Sequence, residues 1–307
     1  MFEMGFEILQ APFIQNALLA GSLIAVAAAI IGYFLIVRGL TFTGHALPNI
    51  GFAGAAGAVL LGVDPVFGLF AFTIAAGVGI ALLGKEVRER DISIGILMTF
   101  ALGLGLLFLS LYSGYAQRVY SILFGTILGI SQEDVLITAL MSLLVLIVLF
   151  VLFRPLLFSS LDPDVAEARG IPVRLLAALF LVLVAVTISM AIQVVGALLV
   201  FTLLIGPAAT AIRIFHRPLW AIVCAVVLGL CYTWLGIVLA ALQGDWPVSF
   251  FIATISFAIY LPVRLLSPLW LGNRSRKQIA RAPETPAQLE TVTANEAATT
   301  MQEATRS

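Results

Sequence analysis

The chain has 307 residues, of which 62% are hydrophobic and only 10% are charged, and its formal net charge is zero. Its mean hydropathy is +1.13, whereas in an ordinary soluble domain about a quarter of the residues carry a charge. The composition excludes a typical soluble protein and predicts a multi-pass protein of the cell (inner) membrane. We expect it to contact the lipid bilayer and no nucleic acid.

Apolar runs long enough to cross a bilayer alternate with short segments that hold almost all the Lys, Arg, Asp and Glu. In lipid, such runs can satisfy their backbone hydrogen bonds only as helices. The sequence therefore predicts an all-α bundle of about nine transmembrane helices. They are expected at 12–37, 45–62, 65–84, 92–112, 134–153, 173–190, 194–212, 219–242 and 248–266.

The count of nine depends on the stretch between Arg174 and Arg213, which has no charged residue. As one helix it would be roughly 60 Å long, about twice the thickness of the hydrocarbon core. We therefore expect it to cross twice, with the return near Ala191, Ile192 and Gln193. A count of eight, with one short segment half-inserted, stays open.

Basic residues set the orientation, because short loops rich in Lys and Arg stay in the cytoplasm. With the N-terminus outside and the C-terminus inside, only Arg118 of the sixteen basic residues falls outside. After Leu271 the sequence loses its bulky apolar residues. We expect a transmembrane domain at 1–271 and a disordered cytoplasmic tail at 272–307.

An internal energy source is not apparent, since the sequence contains no G-x-x-x-x-G-K-[ST] phosphate loop. The clear apolar interiors also contain no Asp, Glu, Lys or Arg, the residues that proton-coupled carriers usually place there. No pair of acids, HExxH or Ser-Lys arrangement suggests an enzyme within the spans. These patterns favour a pathway driven by a separate motor protein over a self-powered carrier or an enzyme.

The loop at 159–174 has the signals of a short amphipathic helix between two spans. Asp162 can cap it, Pro163 suits its first turn, and Asp164 complements its positive end. Gly170, followed by Pro172, should stop it. This helix could be a solvated connector or a docking surface for a soluble ATPase, for which the candidate residues are Asp162, Asp164, Glu167, Arg169 and Gly170.

Five segments together resemble the permease subunits of ABC-type zinc, manganese and iron uptake systems. They are RGLTFTGHALPN, KEVRERDISIGILMTFALGLG, SILFGTILGIS, DPDVAEARGIPVRLL and QVVGALLVFTLLIGPAATA. The resemblance covers about residues 12–266. It implies a homodimer of this subunit, a cytoplasmic ATP-binding subunit on each half and an extracytoplasmic solute-binding protein. ATP would then be bound only by the partner, and this chain would hold no tightly bound cofactor.

The family resemblance also points to the pair His45 and Asn49. Most members read G-D-A-L-S-H here, with an Asp and a His one turn apart that can hold a divalent cation in transit. In this chain the pair is His45 and Asn49, so a ligand remains but the negative charge is gone. In the alternative interpretation, His45 caps the helix or forms a hydrogen bond with a carbonyl, and the side chain of Asn49 forms a hydrogen bond with a neighbouring helix.

Three further residues are candidates for a gate or for the pathway wall. Gly206 and Pro207 should kink or break the helix at 194–212 and expose carbonyl oxygens. A kink needed only for packing is the alternative. Gln193, at the expected outer turn, could line the entrance.

Two other functions stay open beside the import of zinc, manganese or iron. The same architecture could carry another small solute or a metal chelate, since the pair lacks a carboxylate. A passive channel is less consistent with the docking-like loop.

Overall fold

The computed structural model describes residues 11–82, 87–112, 130–243 and 246–279. Every regular element in these ranges is an α-helix, which confirms the predicted all-α class. Arg118 and most of the SILFGTILGIS segment lie outside the described residues. The helices are α1 (Pro12–Val37), α2 (Thr41–Leu60), α3 (Pro65–Leu82), α4 (Val87–Leu111), α5 (Gln132–Leu161), α6 (Pro163–Ala168), α7 (Val173–Val195), α8 (Ala197–Ile214), α9 (Pro218–Gln243) and α10 (Val248–Ile279).

Most of each of the nine predicted apolar segments lies on a long helix, although Gly196 divides the segment at 194–212 between α7 and α8, and α6 is the short helix expected in the loop at 159–174. Within the described ranges, seven helices are long and apolar enough to cross a membrane; α2 and α8 are the long helices outside that set. The multi-pass membrane architecture is thereby confirmed. The count of nine crossings and their orientation stay predictions.

Helix α1 lies at the centre of the bundle and packs against α5, α7, α8 and α9. Helix α2 packs mainly against α3 and α4, and also against α8. Glycines permit this close packing, because a Cβ at Gly54 would overlap the carbonyl oxygen of Gly68 in α3. A Cβ at Gly51 would meet side chains of α3, and a Cβ at Gly57 would meet a side chain of α4.

Several helix ends differ from the sequence prediction, among them the start of α2 and the end of α5. Helix α2 begins at Thr41 rather than at 45, and α5 continues through Pro155 to Leu161 rather than ending at 153. A proline removes only one backbone donor, and a helix packed among neighbours tolerates that loss. The predicted end of α5 falls before Arg154 and Pro155, a charged residue and a proline that this helix accommodates.

The turn between α7 and α8 falls at Gly196, and the predicted return at Ala191, Ile192 and Gln193 is wrong. Those three residues belong to the last turn of α7. Gly196 has φ 90° and ψ 152°, a conformation that a residue with a Cβ rarely adopts. The chain therefore reverses at the glycine and not at the nearest polar residue.

This turn is buried beside the middle of α2. Val195 is fully buried, and the side chain of Ile192 lies 3.6 Å from the position of a Cβ on Gly51. Gly196 is roughly 6 Å further along α7, whereas α2 continues for roughly 13 Å beyond Gly51. Helix α8 thus starts within the bundle, and it has 18 residues, as many as α3.

The chain divides into two compact units, residues 1–263 and residues 264–307. In the second unit, the described part is the continuation of α10 to Ile279, beyond the predicted domain boundary at Leu271. The remaining tail lies outside the described residues, so its disorder stays a prediction.

Candidate functional site

His45 and Asn49 lie one turn apart on α2, as their spacing predicts. His45 is exposed and Asn49 is half-buried. The His45 ring meets the ring of Phe201 in α8 edge to face, with centroids 5.2 Å apart and an interplanar angle of 77°. His45 therefore opens to the surface of the chain, with α8 bordering it.

The side-chain amide of Asn49 joins α2 to α4. Its Nδ2 donates to the backbone oxygen of His45 at 2.8 Å and to the sulfur of Met98 at 3.7 Å. Among the described residues, none donates a hydrogen bond to the amide oxygen of Asn49. The contact with Met98 matches the alternative in which Asn49 satisfies a neighbouring helix, and it also leaves one oxygen able to accept a ligand.

Pro48 lies well inside α2, because the helix begins at Thr41. With no N–H, it cannot donate to the carbonyl of Gly44 one turn earlier. Gly44 is buried against side chains of Leu35 in α1 and Leu204 in α8. A backbone oxygen without its helical donor therefore lies directly before His45.

The candidate metal ligands at this site carry no negative charge. They are the imidazole of His45, the amide oxygen of Asn49 and the thioether of Met98. In the described part of the chain, no group of three or more His, Cys, Asp and Glu side chains could hold a metal ion. An uncharged set binds a divalent cation weakly, which suits a position that an ion must leave.

The three candidate gate residues lie on other helices than this pair, Gln193 on α7 and Gly206 and Pro207 on α8. Gln193 is half-buried in the last turn of α7, and its amide nitrogen Nε2 donates to the carbonyl of Ser189 at 3.4 Å. A Cβ at Gly206 would overlap the hydroxyl of Ser256 in α10. The structure therefore places Gly206 in close contact with another helix.

Helix α8 is not broken at Gly206 and Pro207, which corrects the predicted break. It runs without interruption from Ala197 to Ile214 with Pro207 inside. The hydroxyl of Thr210 donates to the carbonyl of Gly206 at 2.8 Å, so this oxygen is bonded near the proline. The chain breaks at Gly196 instead, and a kink at Pro207 stays a prediction.

The predicted docking residues surround the exposed helix α6. The Asp162 carboxylate accepts from the backbone N–H of Val165 at 3.1 Å, and Gly170 ends the turn with φ 81°. The Arg169 guanidinium lies 5.4 Å from the ring centre of Phe158 in α5. Ala166 is fully buried and anchors the helix. Within α6 and its ends, Asp162, Asp164, Glu167, Arg169 and Gly170 are all exposed.

Arg38, which sequence reasoning treated only as a marker of orientation, connects α1 to the base of α6. Its Nη2 donates to the hydroxyl of Ser159 at 2.8 Å, and its guanidinium carbon lies 5.4 Å from the ring centre of Phe180 in α7. Its Nη1 is buried without a hydrogen-bond partner among the described residues. Burial lowers the pKa of Arg38 to about 10, so the side chain stays charged at neutral pH.

This arrangement ties α6 to the centre of the bundle. Ser159 lies at the end of α5, one turn before the cap residue Asp162. Arg90 of α4 donates to the carbonyl of Gly39 at 3.0 Å, beside the same corner. A force on α6 can therefore reach α1 through a charge-assisted hydrogen bond.

Comparison with known proteins agrees with this architecture. Residues 10–267 match the ABC 3 transport family. The chain is 29% identical over 281 residues to the manganese transport system membrane protein MntC of Halalkalibacterium halodurans, covering 89% of this chain and 96% of the relative. It is 34% identical over 212 residues to MntC of Listeria innocua, covering 68% of this chain and 75% of the relative.

A solved structure described as PsaBC from Streptococcus pneumoniae in complex with Fab is similar in fold. The TM-score is 0.76 at 28% sequence identity, covering 86% of this chain and 95% of that chain. The family match spans almost all of the helices described above, and the fold agrees with it. The chain therefore belongs to the ABC 3 transport family and is a multi-pass membrane permease.

Proposed function

We propose that this permease forms the translocation pathway of an importer for a divalent transition-metal ion, namely zinc, manganese or iron, powered by a separate ATPase subunit. Relatives named as manganese transport proteins support a metal as the transported species. The observation that carries the proposal is the pair on α2, in which His45 is exposed and Asn49, one turn later, is half-buried.

The pair would act as a transient, low-affinity position for the ion. Imidazole nitrogen and amide oxygen are ligands for these metals, and the absence of a carboxylate keeps binding weak. In a homodimer, two copies of His45 near the shared axis would offer two imidazoles. The ion is cargo, so no resident cofactor is required.

Metal uptake by the complete transporter tests this role. A His45→Ala, Asn49→Ala double variant should transport zinc, manganese and iron far more slowly than the unchanged protein at equal expression. Ser110→Ala, on an exposed part of α4, is the control and should leave uptake unchanged. If the double variant takes up all three metals at the rate of the unchanged protein, His45 and Asn49 have no role in the pathway.

Three partners follow from this proposal: a cytoplasmic ATP-binding subunit, an extracytoplasmic solute-binding protein and a second copy of this chain. Helix α6 is the candidate docking surface for the ATPase, because it is exposed, capped at its start and anchored through Ala166. A short, fixed helix can transmit a push, whereas a mobile connector would absorb it.

Charge reversal tests the docking surface. Replacing Asp164 and Glu167 by Lys should reduce co-purification of the ATPase and stimulation of its ATP hydrolysis. Glu133→Lys, in the exposed first turn of α5, is the control at another helix end. If the α6 variant binds and stimulates the ATPase like the control, α6 is not the docking surface.

A second candidate is the same machine with a different cargo, a metal chelate or another small solute. The missing carboxylate at the pair favours it, because a chelate carries its own ligands and needs no anion from the protein. Elemental analysis of metal-starved cells with and without the gene separates the two. Suppose that cells without the gene lack one metal specifically, and that the free salt of this metal restores its content. This result supports the ion as the transported species.

A further inference from the structure

We propose that Met98 is a specificity-determining residue of the pathway, whose thioether shifts the preference of the His45–Asn49 position from manganese towards zinc. This inference rests on the proposed function as a metal importer. It concerns a residue on a different helix from the pair, so spacing along the sequence does not point to it.

Close packing between α4 and α2 fixes the position of Met98. A Cβ at Gly105 of α4 would lie 3.0 Å from the Cα of Ala53, and a Cβ at Gly57 of α2 would lie 2.9 Å from the ring of Phe108. Such backbone approach leaves little freedom for α4 to slide or rotate against α2. The side chain of Met98 is therefore held opposite Asn49.

The surroundings of the sulfur differ from those of a methionine that only fills space. Met98 is half-buried and packs partly against the apolar core. Its sulfur, however, lies 3.7 Å from the amide nitrogen of Asn49, whose own helix carries the exposed His45 one turn earlier. A leucine would fill a similar volume, so packing alone does not require the sulfur.

The donor set determines which ions the position favours. Manganese is a hard cation that prefers carboxylates, carbonyls and water, whereas soft sulfur and imidazole ligands favour zinc. Here imidazole and thioether accompany one neutral amide oxygen, and the described part of the chain has no group of three or more His, Cys, Asp and Glu side chains that could hold a metal ion. Zinc also binds a given site more tightly than manganese in the general order of divalent metals.

The test is a competition in proteoliposomes that contain the complete transporter: permease, ATPase and solute-binding protein. Labelled zinc and manganese are supplied together, and the ratio of their initial uptake rates is measured. Every variant receives the same binding protein, so a change in the ratio reports on the permease. Met98→Leu should lower the zinc-to-manganese ratio several-fold, while Met98→Cys, which keeps a sulfur, should preserve or raise it.

Met141→Leu is the matched control. Met141 is 38% exposed on α5, and this substitution makes the same chemical change at another helix. We expect its ratio to equal that of the unchanged protein. Both leucine substitutions nearly conserve volume and should leave the protein folded.

Two outcomes would overturn the inference. One is a Met98→Leu ratio equal to that of the unchanged protein and the Met141→Leu control. The other is an equal shift by Met98→Leu and Met98→Cys, which would exclude the sulfur as the cause. If the unchanged transporter takes up neither zinc nor manganese, the proposed function itself is contradicted. This result differs from the two outcomes that overturn the inference about Met98.

Discussion

Gly32 permits the close contact between α1 and α8 that positions one wall of the candidate site. A Cβ at this residue would overlap the carbonyl oxygen of Leu204, and it would lie 2.8 Å from the carbonyl carbon of that residue. Ordinary contact begins at 3.4 Å, and neither backbone can rotate away as a flexible side chain could. Gly32→Ala must therefore push the two helices apart.

The cost should lie near the upper end of the range for overpacking, about 3 kcal/mol. With about 2.1 cal/mol/K of unfolding entropy per residue, each kcal/mol lowers the Tm of a chain of 307 residues by about 1.5 °C, so we expect a fall of roughly 5 °C in the detergent-solubilised protein. The separation of α1 and α8 should also disturb the pair of His45 and Asn49, because Leu204 of α8 contacts Gly44 beside His45. Metal uptake by the complete transporter should fall with Tm.

Gly79→Ala in α3 is the matched control. A Cβ at Gly79 would meet nothing within 4 Å, and alanine in a helix is favoured over glycine by roughly 0.5–1 kcal/mol. Its Tm should be unchanged or slightly higher. If Gly32→Ala unfolds at the same temperature as Gly79→Ala, the close contact between α1 and α8 is not as described.

Three further changes test other parts of the structure. Gly196→Ala should cost about 1–3 kcal/mol, because its φ of 90° is strained for a residue with a Cβ; an unchanged Tm would exclude this turn geometry. Ser159→Ala should cost about 1.5–3 kcal/mol, since Arg38 would lose its hydrogen bond. In an Arg38→Met background, Ser159→Ala should lower the stability much less. If Ser159→Ala costs the same in both backgrounds, the double-mutant cycle shows no coupling between the two residues. Asp162→Ala removes the cap of α6 and should cost about 0.5–2 kcal/mol of local stability. Faster amide exchange in α6 would reveal that loss, and unchanged exchange would argue against the cap.

Much of the fold follows from composition, because long apolar runs in lipid can be little else than helices. Most of each predicted apolar segment lies on a long helix, and the caps of α6 are those that Asp162 and Gly170 suggest. Helix ends were less predictable. Gln193 suggested a turn because it is polar, but the unusual backbone conformation at Gly196 decided where the chain reverses.

The candidate site was predictable only in part. The spacing of His45 and Asn49 places them on one face of a helix whatever surrounds it. The contacts with Met98 and Phe201 come from α4 and α8, and they depend on how glycines let these helices approach. Arg38 was missed because a basic residue at the end of an apolar segment is an expected topological signal, and only packing shows its bond to Ser159.

The central claim is that this permease does not power transport itself and moves its ion only when a separate ATPase acts on it. Reconstitution into liposomes tests this directly, with uptake of manganese or zinc measured for the chain alone and with its ATPase, binding protein and ATP. Accumulation against a gradient is expected only with the ATPase and ATP present. Concentrative uptake by the chain alone would contradict the account.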